Sequence, residues 1–236
     1  DGTDFVGWQI QKNGLSVQEI IQKTLIKTLK HKIILYGSGR TDSGVHAHAQ
    51  SAHFSTKIKI KNKFVFLNTF NFFLRKRKIS ILKIQLKKQS FHARYSAKKR
   101  LYKYVITNRI APLSLDMNRA WHIKSALNIE LIKKAAKLLE GTKNFSTFRS
   151  SSCGAESPIR TLEKVAVIKR ESKIFITFKS KSFLQQQVRS MVGCLKFVGE
   201  KKWSLKKFKH VMNSQKRINC APPAPARGLY LLKVFY

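Results

Sequence analysis

Apolar residues recur at helical spacing between residues 16 and 30, where Val17, Ile20, Ile21, Leu25 and Leu29 share one face behind Ser16 and Glu19 in capping-box spacing. The pattern predicts an amphipathic helix. A second is predicted over 129–140, with Asn128 as cap, Ile132, Ala135, Ala136 and Leu139 as the buried face and Gly141 as the stop. A third is expected from about Phe183 to Val198. Between them, β-rich runs with period-two alternation at 32–36, 51–55, 79–85, 101–107, 173–178 and 229–236 predict short, mainly antiparallel strands. The order of elements reads as an α+β fold in two related halves with mainly antiparallel sheets flanked by helices, residues 1–90 and 91–236, joined by a basic connection around 86–100.

Charge sharpens this picture. Across 236 residues, 48 Lys and Arg face 11 Asp and Glu, a net charge of +37, which points to a polyanionic partner and most economically to nucleic acid. An A+T-rich coding sequence would also enrich Lys, Ile, Phe and Asn, so the charge supports nucleic-acid binding without saying where it occurs. No run approaches the roughly 20 apolar residues of a spanning helix, and no basic-then-apolar signal stands ahead of the first features, so no membrane association is expected. Cys153, Cys194 and Cys220 are an odd number at wide spacing, with no zinc clip or disulfide framework among them, which fits a reducing cytoplasm. His46, His48 and His53 raise a metal reading, but apart from Asp42 no nearby Cys, Asp or Glu completes a ligand set.

The stretch Tyr36 to Gln50, YGSGRTDSGVHAHAQ, holds three glycines, two histidines and one carboxylate, Asp42. Two readings compete for it. In one, Thr41 and Asp42 hydrogen-bond the backbone of a turn. In the other, Asp42 is a reacting group kept ionised by Arg40 or by another cation that the fold supplies.

The segments DGTDFVGWQIQ, SVQEII, GRTDSGVHAHAQSAHF, FHARYSAKKRLYKYVI, FSTFRSSSCGAESPIRTL, FLQQQVRSMVGCLKFVG and APPAPARGLYLLKV, in this order and across nearly the whole chain, resemble the tRNA pseudouridine synthase A family. The resemblance implies a cofactor-independent isomerase of uridines in the tRNA anticodon stem-loop. It also implies two α+β halves around a cleft and a homodimer. By the same resemblance Asp42 is the nucleophile, Tyr102 stacks on the target base, Arg189 pairs with the aspartate and Leu229 lines the pocket. Arg40, Arg94, Arg149 and Arg160 are expected to bind the substrate RNA.

The chemistry suits these residue types. Converting uridine to its C-glycoside breaks the N-glycosidic bond, turns the freed uracil over and rejoins it through C5, so nothing is oxidised and neither cofactor nor metal is expected. A buried carboxylate tends to protonate, and an adjacent guanidinium reverses that tendency. An aromatic face holds a base by stacking worth about 1–3 kcal/mol. The uridine must leave its stack, and Arg40 is a candidate for the vacated space or for the phosphate. Periodicity alone reads the same residues more plainly: Tyr102 and Leu229 as core positions of strands, Arg189 as a solvated arginine, RSSSCGAESPIR as a surface loop and RYSAKKRLYKY as a basic strand.

The sequence departs from the family pattern in places. Ser43 replaces the usual alanine after GRTD, LNTFNFFLRKRKISI lacks the proline of its counterpart, and Gln187 stands where methionine is common. The chain opens inside the family's YDGT motif, so a further strand is expected ahead of Asp1. A catalytically inactive tRNA-binding relative, or a helper of RNA folding, is the second reading, against which the retained Asp42, Tyr102 and Arg189 argue. A metal-dependent nuclease or deaminase built on the histidines is the third, and lacks a carboxylate cluster and a Cys pair at deaminase spacing.

Overall fold

The computed structural model describes residues Asp1 to Tyr236 as two compact units, Asp1–Ala97 with Tyr236, and Lys98–Phe235.

In the first unit, α1 (Val17–Leu29) starts as its sequence dictates: the Ser16 side chain accepts the Glu19 N–H, and Lys30 closes the helix in a left-handed conformation. Its buried face, Ile20, Ile21, Leu25 and Leu29, meets Phe5, Trp8, Ile33, Leu35, Phe70 and Leu74 in one core. The last two lie on α2 (Lys63–Leu74), a helix that the strand and helix patterns had not indicated, capped by the Asn62 side chain on the Phe64 and Val65 N–H groups.

The predicted strands at 32–36 and 79–85 do not form as such. Only Tyr36–Gly37 (β1) pairs, antiparallel, with β3 (Ala52–His53), across a loop that holds the two-residue β2 (His46–Ala47), so the run at 51–55 also contracts to two residues. Alternation is real in 32–35, where Ile33 and Leu35 are buried and Ile34 is exposed. The backbone there turns to helix side chains instead of a neighbouring strand. Leu35 N–H donates to Gln22 Oε1 at 2.9 Å, and its carbonyl accepts Gln18 Nε2 at 2.7 Å. Asn71 of α2 does the same for Ile81, accepting its N–H at 2.7 Å and donating to its carbonyl at 2.9 Å.

The second unit is a mainly antiparallel sheet in the order β9-β4-β8-β7-β6. Its strands are β4 (Lys99–Asn108), β6 (Gly141–Asn144), β7 (Ile159–Arg170), β8 (Lys173–Ser180) and β9 (Leu229–Phe235). The outer part of β4 also carries β5 (Trp121–Ile123) in parallel. On β8, Ile174, Ile176, Phe178 and Ser180 point inward in strict alternation. Three helices accompany the sheet: α3 (Ile129–Leu138), α4 (Gln187–Gly199) and α5 (Leu205–Asn213). Asn128 caps α3 on the Leu131 N–H, and Ser204 caps α5 on the Lys207 N–H. The third predicted helix begins four residues later than its apolar pattern, at Gln187, because Gln186 takes a left-handed conformation and the Gln187 side chain turns back to the Leu184 N–H. No helix is long and apolar enough to cross a membrane.

Candidate active site

In the first unit the GRTD segment belongs to a long loop between β1 and β3, closed at its base. Ser38 N–H donates to the Ser51 carbonyl at 2.8 Å, and Gln50 bridges the neck: its Oε1 accepts the Ser38 hydroxyl at 2.6 Å and its Nε2 donates to the Gly39 carbonyl at 3.0 Å. At the tip, Val45 N–H donates to the Asp42 carbonyl at 3.2 Å, with Gly44 at φ +76° in the third position, as a type II turn requires.

The opening residues of the chain clamp this turn from outside. Trp8 N–H donates to the Thr41 carbonyl at 3.2 Å, Gly44 N–H to the Phe5 carbonyl at 3.3 Å and the Ser43 hydroxyl to the same carbonyl at 3.1 Å. Gly7, at φ +107°, lies so close that a Cβ on it would stand 2.4 Å from the Thr41 oxygen. Phe5 and Trp8 are in turn anchored in the core, so the backbone on either side of Asp42 is referred to a packed framework. Ser43, the departure from alanine, uses its hydroxyl in this clamp. Asp42 itself is half-buried, and Arg40 in the same turn is exposed.

Arg94 is exposed on another segment of this unit, over the ring of Tyr95. Tyr95 continues into a ladder of rings: His92 lies 4.4 Å from Tyr95 and 4.6 Å from His53, which stacks on Tyr36 at 5.2 Å. Burial, then the neighbouring His92, lowers the His53 pKa, and His53 Nδ1 accepts the Ala93 N–H at 3.1 Å. His53 is thereby committed to packing and to the backbone. No group of three or more His, Cys, Asp or Glu side chains is arranged to hold a metal ion.

In the second unit, Tyr102 sits on β4 opposite Phe178 of β8 and Leu231 of β9, next to a register shift in the β4–β9 pairing. It is buried, with Phe183 edge-on at 5.1 Å. Two residues along, Tyr104 faces Leu229, itself buried, and its hydroxyl donates to the Pro225 carbonyl at 2.7 Å. Burial drives the Tyr104 phenol far above its ordinary range, against the opposing charges of Arg189 and Arg227, so it acts only as a hydrogen-bond donor.

Arg189 is not the solvated side chain that its helical position suggested. It is half-buried, and its Nε donates to the Ala224 carbonyl at 2.8 Å while Ala224 N–H donates to the Arg189 carbonyl at 2.9 Å. The segment APPAPARG, which runs directly into Leu229, is thus pinned at its middle, at Ala224 by Arg189 and at Pro225 by Tyr104. Tyr104, Ala224 and Pro225 were missed as site-building residues; the only sequence signal was the Tyr alternation of β4. Gln187 is fully buried, its Oε1 taken by the Leu184 N–H and its Nε2 without a partner.

Arg149 and Arg160 flank one loop and hold it through the backbone. Arg149 Nη1 donates to the Ala155 carbonyl at 3.3 Å, and Arg160 Nη1 to the carbonyls of Ser157 at 2.8 Å and Ile159 at 2.6 Å. Both guanidiniums therefore shape the loop whose ends they mark.

Comparison with known proteins adds a second line of observation. A family model described as tRNA pseudouridine synthase matches residues 135–236. Full-length similarity extends to the tRNA pseudouridine synthase A of Pelagibacter ubique (strain HTCC1062), 57% identical over 235 residues, 100% of this chain and 96% of that protein. Proteins of the same name from Neorickettsia sennetsu (strain ATCC VR-367 / Miyayama) and Ehrlichia ruminantium (strain Welgevonden) are 42% and 40% identical over 235 and 237 residues, again covering 100% of this chain and 96% of each.

Proposed function

This chain belongs to the tRNA pseudouridine synthase A family, and from that premise we propose that it isomerises uridine to pseudouridine in the anticodon stem-loop of tRNA with Asp42 as nucleophile. The reaction conserves atoms and electrons. The N1–C1′ bond breaks, a C5–C1′ bond forms, the C5 proton departs and N1 gains one, so the enzyme must supply a nucleophile, a grip on the detached uracil and a route for one proton.

The observation that carries the reading is the clamped GRTD turn. Its backbone is held by the Trp8 N–H, which donates to the Thr41 carbonyl, and by the Phe5 carbonyl, which accepts from Gly44 N–H and the Ser43 hydroxyl, while the Asp42 side chain stays half-exposed. That combination gives a carboxylate a fixed position and leaves it reachable, as a reacting group requires. Tyr102, Arg189 and Leu229 take the roles that the family resemblance gives them, with Arg40, Arg94, Arg149 and Arg160 contacting RNA or shaping the loops that do. The enzyme is proposed to act as a homodimer in the cytoplasm.

Asp42→Asn tests the assignment. It keeps the size and most of the hydrogen bonding of the side chain but removes its charge, so pseudouridine mapped in unmodified tRNA should vanish while tRNA affinity stays near normal. Ordinary turnover by the variant would return Asp42 to the role of a turn residue. Pseudouridine mapped outside the anticodon stem-loop would refute the site preference, and a light-scattering mass of one chain under active conditions would refute the dimer.

A further inference from the structure

Two thiols that are 26 residues apart in sequence meet in the second unit. Cys194, fully buried on α4, has its sulfur 3.5 Å from that of Cys220, which is half-buried at the start of the segment leading to Ala224. The surroundings are asymmetric. Arg217 lies one short 3-10 turn before Cys220 and donates to the Ser190 hydroxyl at 2.7 Å, and Ser190 is on the same helix as Cys194. The hydrogen bond from Cys194, helped by the charge of Arg217, lowers the Cys220 pKa against the opposing pull of burial. That hydrogen bond and burial push the Cys194 thiol far upward. The two sulfurs are thus in contact, with Cys220 the more exposed and the more readily ionised of the pair.

We propose that Cys194 and Cys220 form a dithiol that hydrogen peroxide converts to an intramolecular disulfide, a modification site on the segment that anchors Arg189. The Cys220 thiolate attacks the peroxide oxygen, giving a sulfenic acid at Cys220 and hydroxide. The Cys194 sulfur then attacks the Cys220 sulfur, forming the S–S bond and releasing water. Two electrons leave the thiols, the hydroxide takes up the proton that the Cys220 thiol gave up on ionising, and hydrogen peroxide is thereby reduced to two waters. The sulfurs need to approach by about 1.5 Å, from 3.5 Å to the ~2.05 Å of a disulfide. The bond would join α4 covalently to the segment that exchanges two hydrogen bonds with Arg189, one through its Nε and one through its carbonyl.

The site is distinct from the proposed nucleophile and is tested without reference to turnover. Purified, reduced protein is treated with hydrogen peroxide, alkylated and digested without reductant. The expected product is a peptide pair linked through Cys194 and Cys220, two hydrogens lighter than the reduced peptides and released by dithiothreitol, with Cys153 left free. Cys194→Ser removes the resolving thiol, so a sulfenic acid should accumulate at Cys220 and be trapped by dimedone. Arg217→Ala should slow disulfide formation several-fold. Oxidation confined to Cys153, links between chains, or Cys220 carried to sulfinic acid in the wild-type protein with Cys194 intact would each overturn the proposal. The wild-type peptide map decides the matter even where a variant does not fold.

Discussion

Replacing Gly7 with alanine moves the Asp42 turn without touching Asp42. The new methyl group would lie 2.4 Å from the Thr41 oxygen, 3.1 Å from the Asp42 carbonyl carbon and 3.3 Å from the Ser43 nitrogen. Ordinary contact begins near 3.4 Å, so the turn must recede by about 1 Å at Thr41. All three obstacles are backbone atoms, which cannot swing aside as a flexible side chain would. Holding a non-glycine residue at φ +107° costs about 1–3 kcal/mol. Weakening the Trp8 to Thr41 hydrogen bond adds about 1 kcal/mol. Together these should lower Tm by roughly 5–15 °C for a chain of this size. Turnover should fall further than stability explains, because a displacement of about 1 Å at a reacting group costs on the order of 10²-fold. Release of tritium from C5 of uridine in tRNA, measured well below the variant's Tm, reads the isomerisation directly, and filter binding reads tRNA affinity. A Gly7→Ala enzyme with the expected Tm loss but turnover within about threefold of wild type would refute the idea that the clamp positions the chemistry.

Other outcomes follow from the same structure. Tyr104→Phe deletes the hydroxyl that holds the Pro225 carbonyl at 2.7 Å, a loss of about 1–2 kcal/mol, and should lower Tm by a few degrees and slow tritium release through a loosened APPAPARG segment; an unchanged melt and rate would show that the segment is held without it. His53 has a lowered pKa in the folded state, so the unfolded chain binds more protons as pH falls below about 6.5 and stability should decline there; a Tm against pH curve that His53→Asn fails to flatten would place the dependence elsewhere. With a net charge of +37, tRNA affinity should weaken roughly 10³-fold between 50 and 200 mM salt if about six phosphates are contacted, and a flat salt dependence would remove the electrostatic reading.

Helices with explicit caps were legible from the sequence. Ser16 and Asn128 announce α1 and α3 because a side-chain oxygen three residues ahead of an N–H is a local device, complete within one turn of chain. The long strands β8 and β9 were visible through alternation with one face the more buried, and β4 through Tyr102 and Tyr104, although both its faces are buried from Tyr104 to Thr107. The helix α2 was not, because KFVFLNTFNFFL is apolar nearly all round, and Phe64, Val65 and Phe72 remain exposed on it, so no stripe stands out. Predicted strands at 32–36 and 79–85 failed for a tertiary reason, as their backbone partners are the amides of Gln18, Gln22 and Asn71, which periodicity does not register. At the site, GRTD was readable as a turn and, through the family resemblance, as a reactive one. The clamp by Phe5 and Trp8, the anchoring of Arg189 on Ala224 and the meeting of Cys194 with Cys220 all depend on contacts far apart in sequence, which only the fold brings together.

The amides of Gln18, Gln22 and Asn71 also bear on how this chain behaves among its copies. An extended segment with open N–H and C=O groups is a template on which another chain can add a strand, and the exposed phenylalanines of α2 would make such an encounter adhesive. At Leu35 and Ile81 the donor and the acceptor are already taken by a helix side chain of the same molecule. These side chains thus work as plugs on extended backbone, Gln18 and Gln22 together at Leu35 and Asn71 alone at Ile81, so that in a concentrated solution those two positions are closed to intermolecular pairing where they would otherwise invite it.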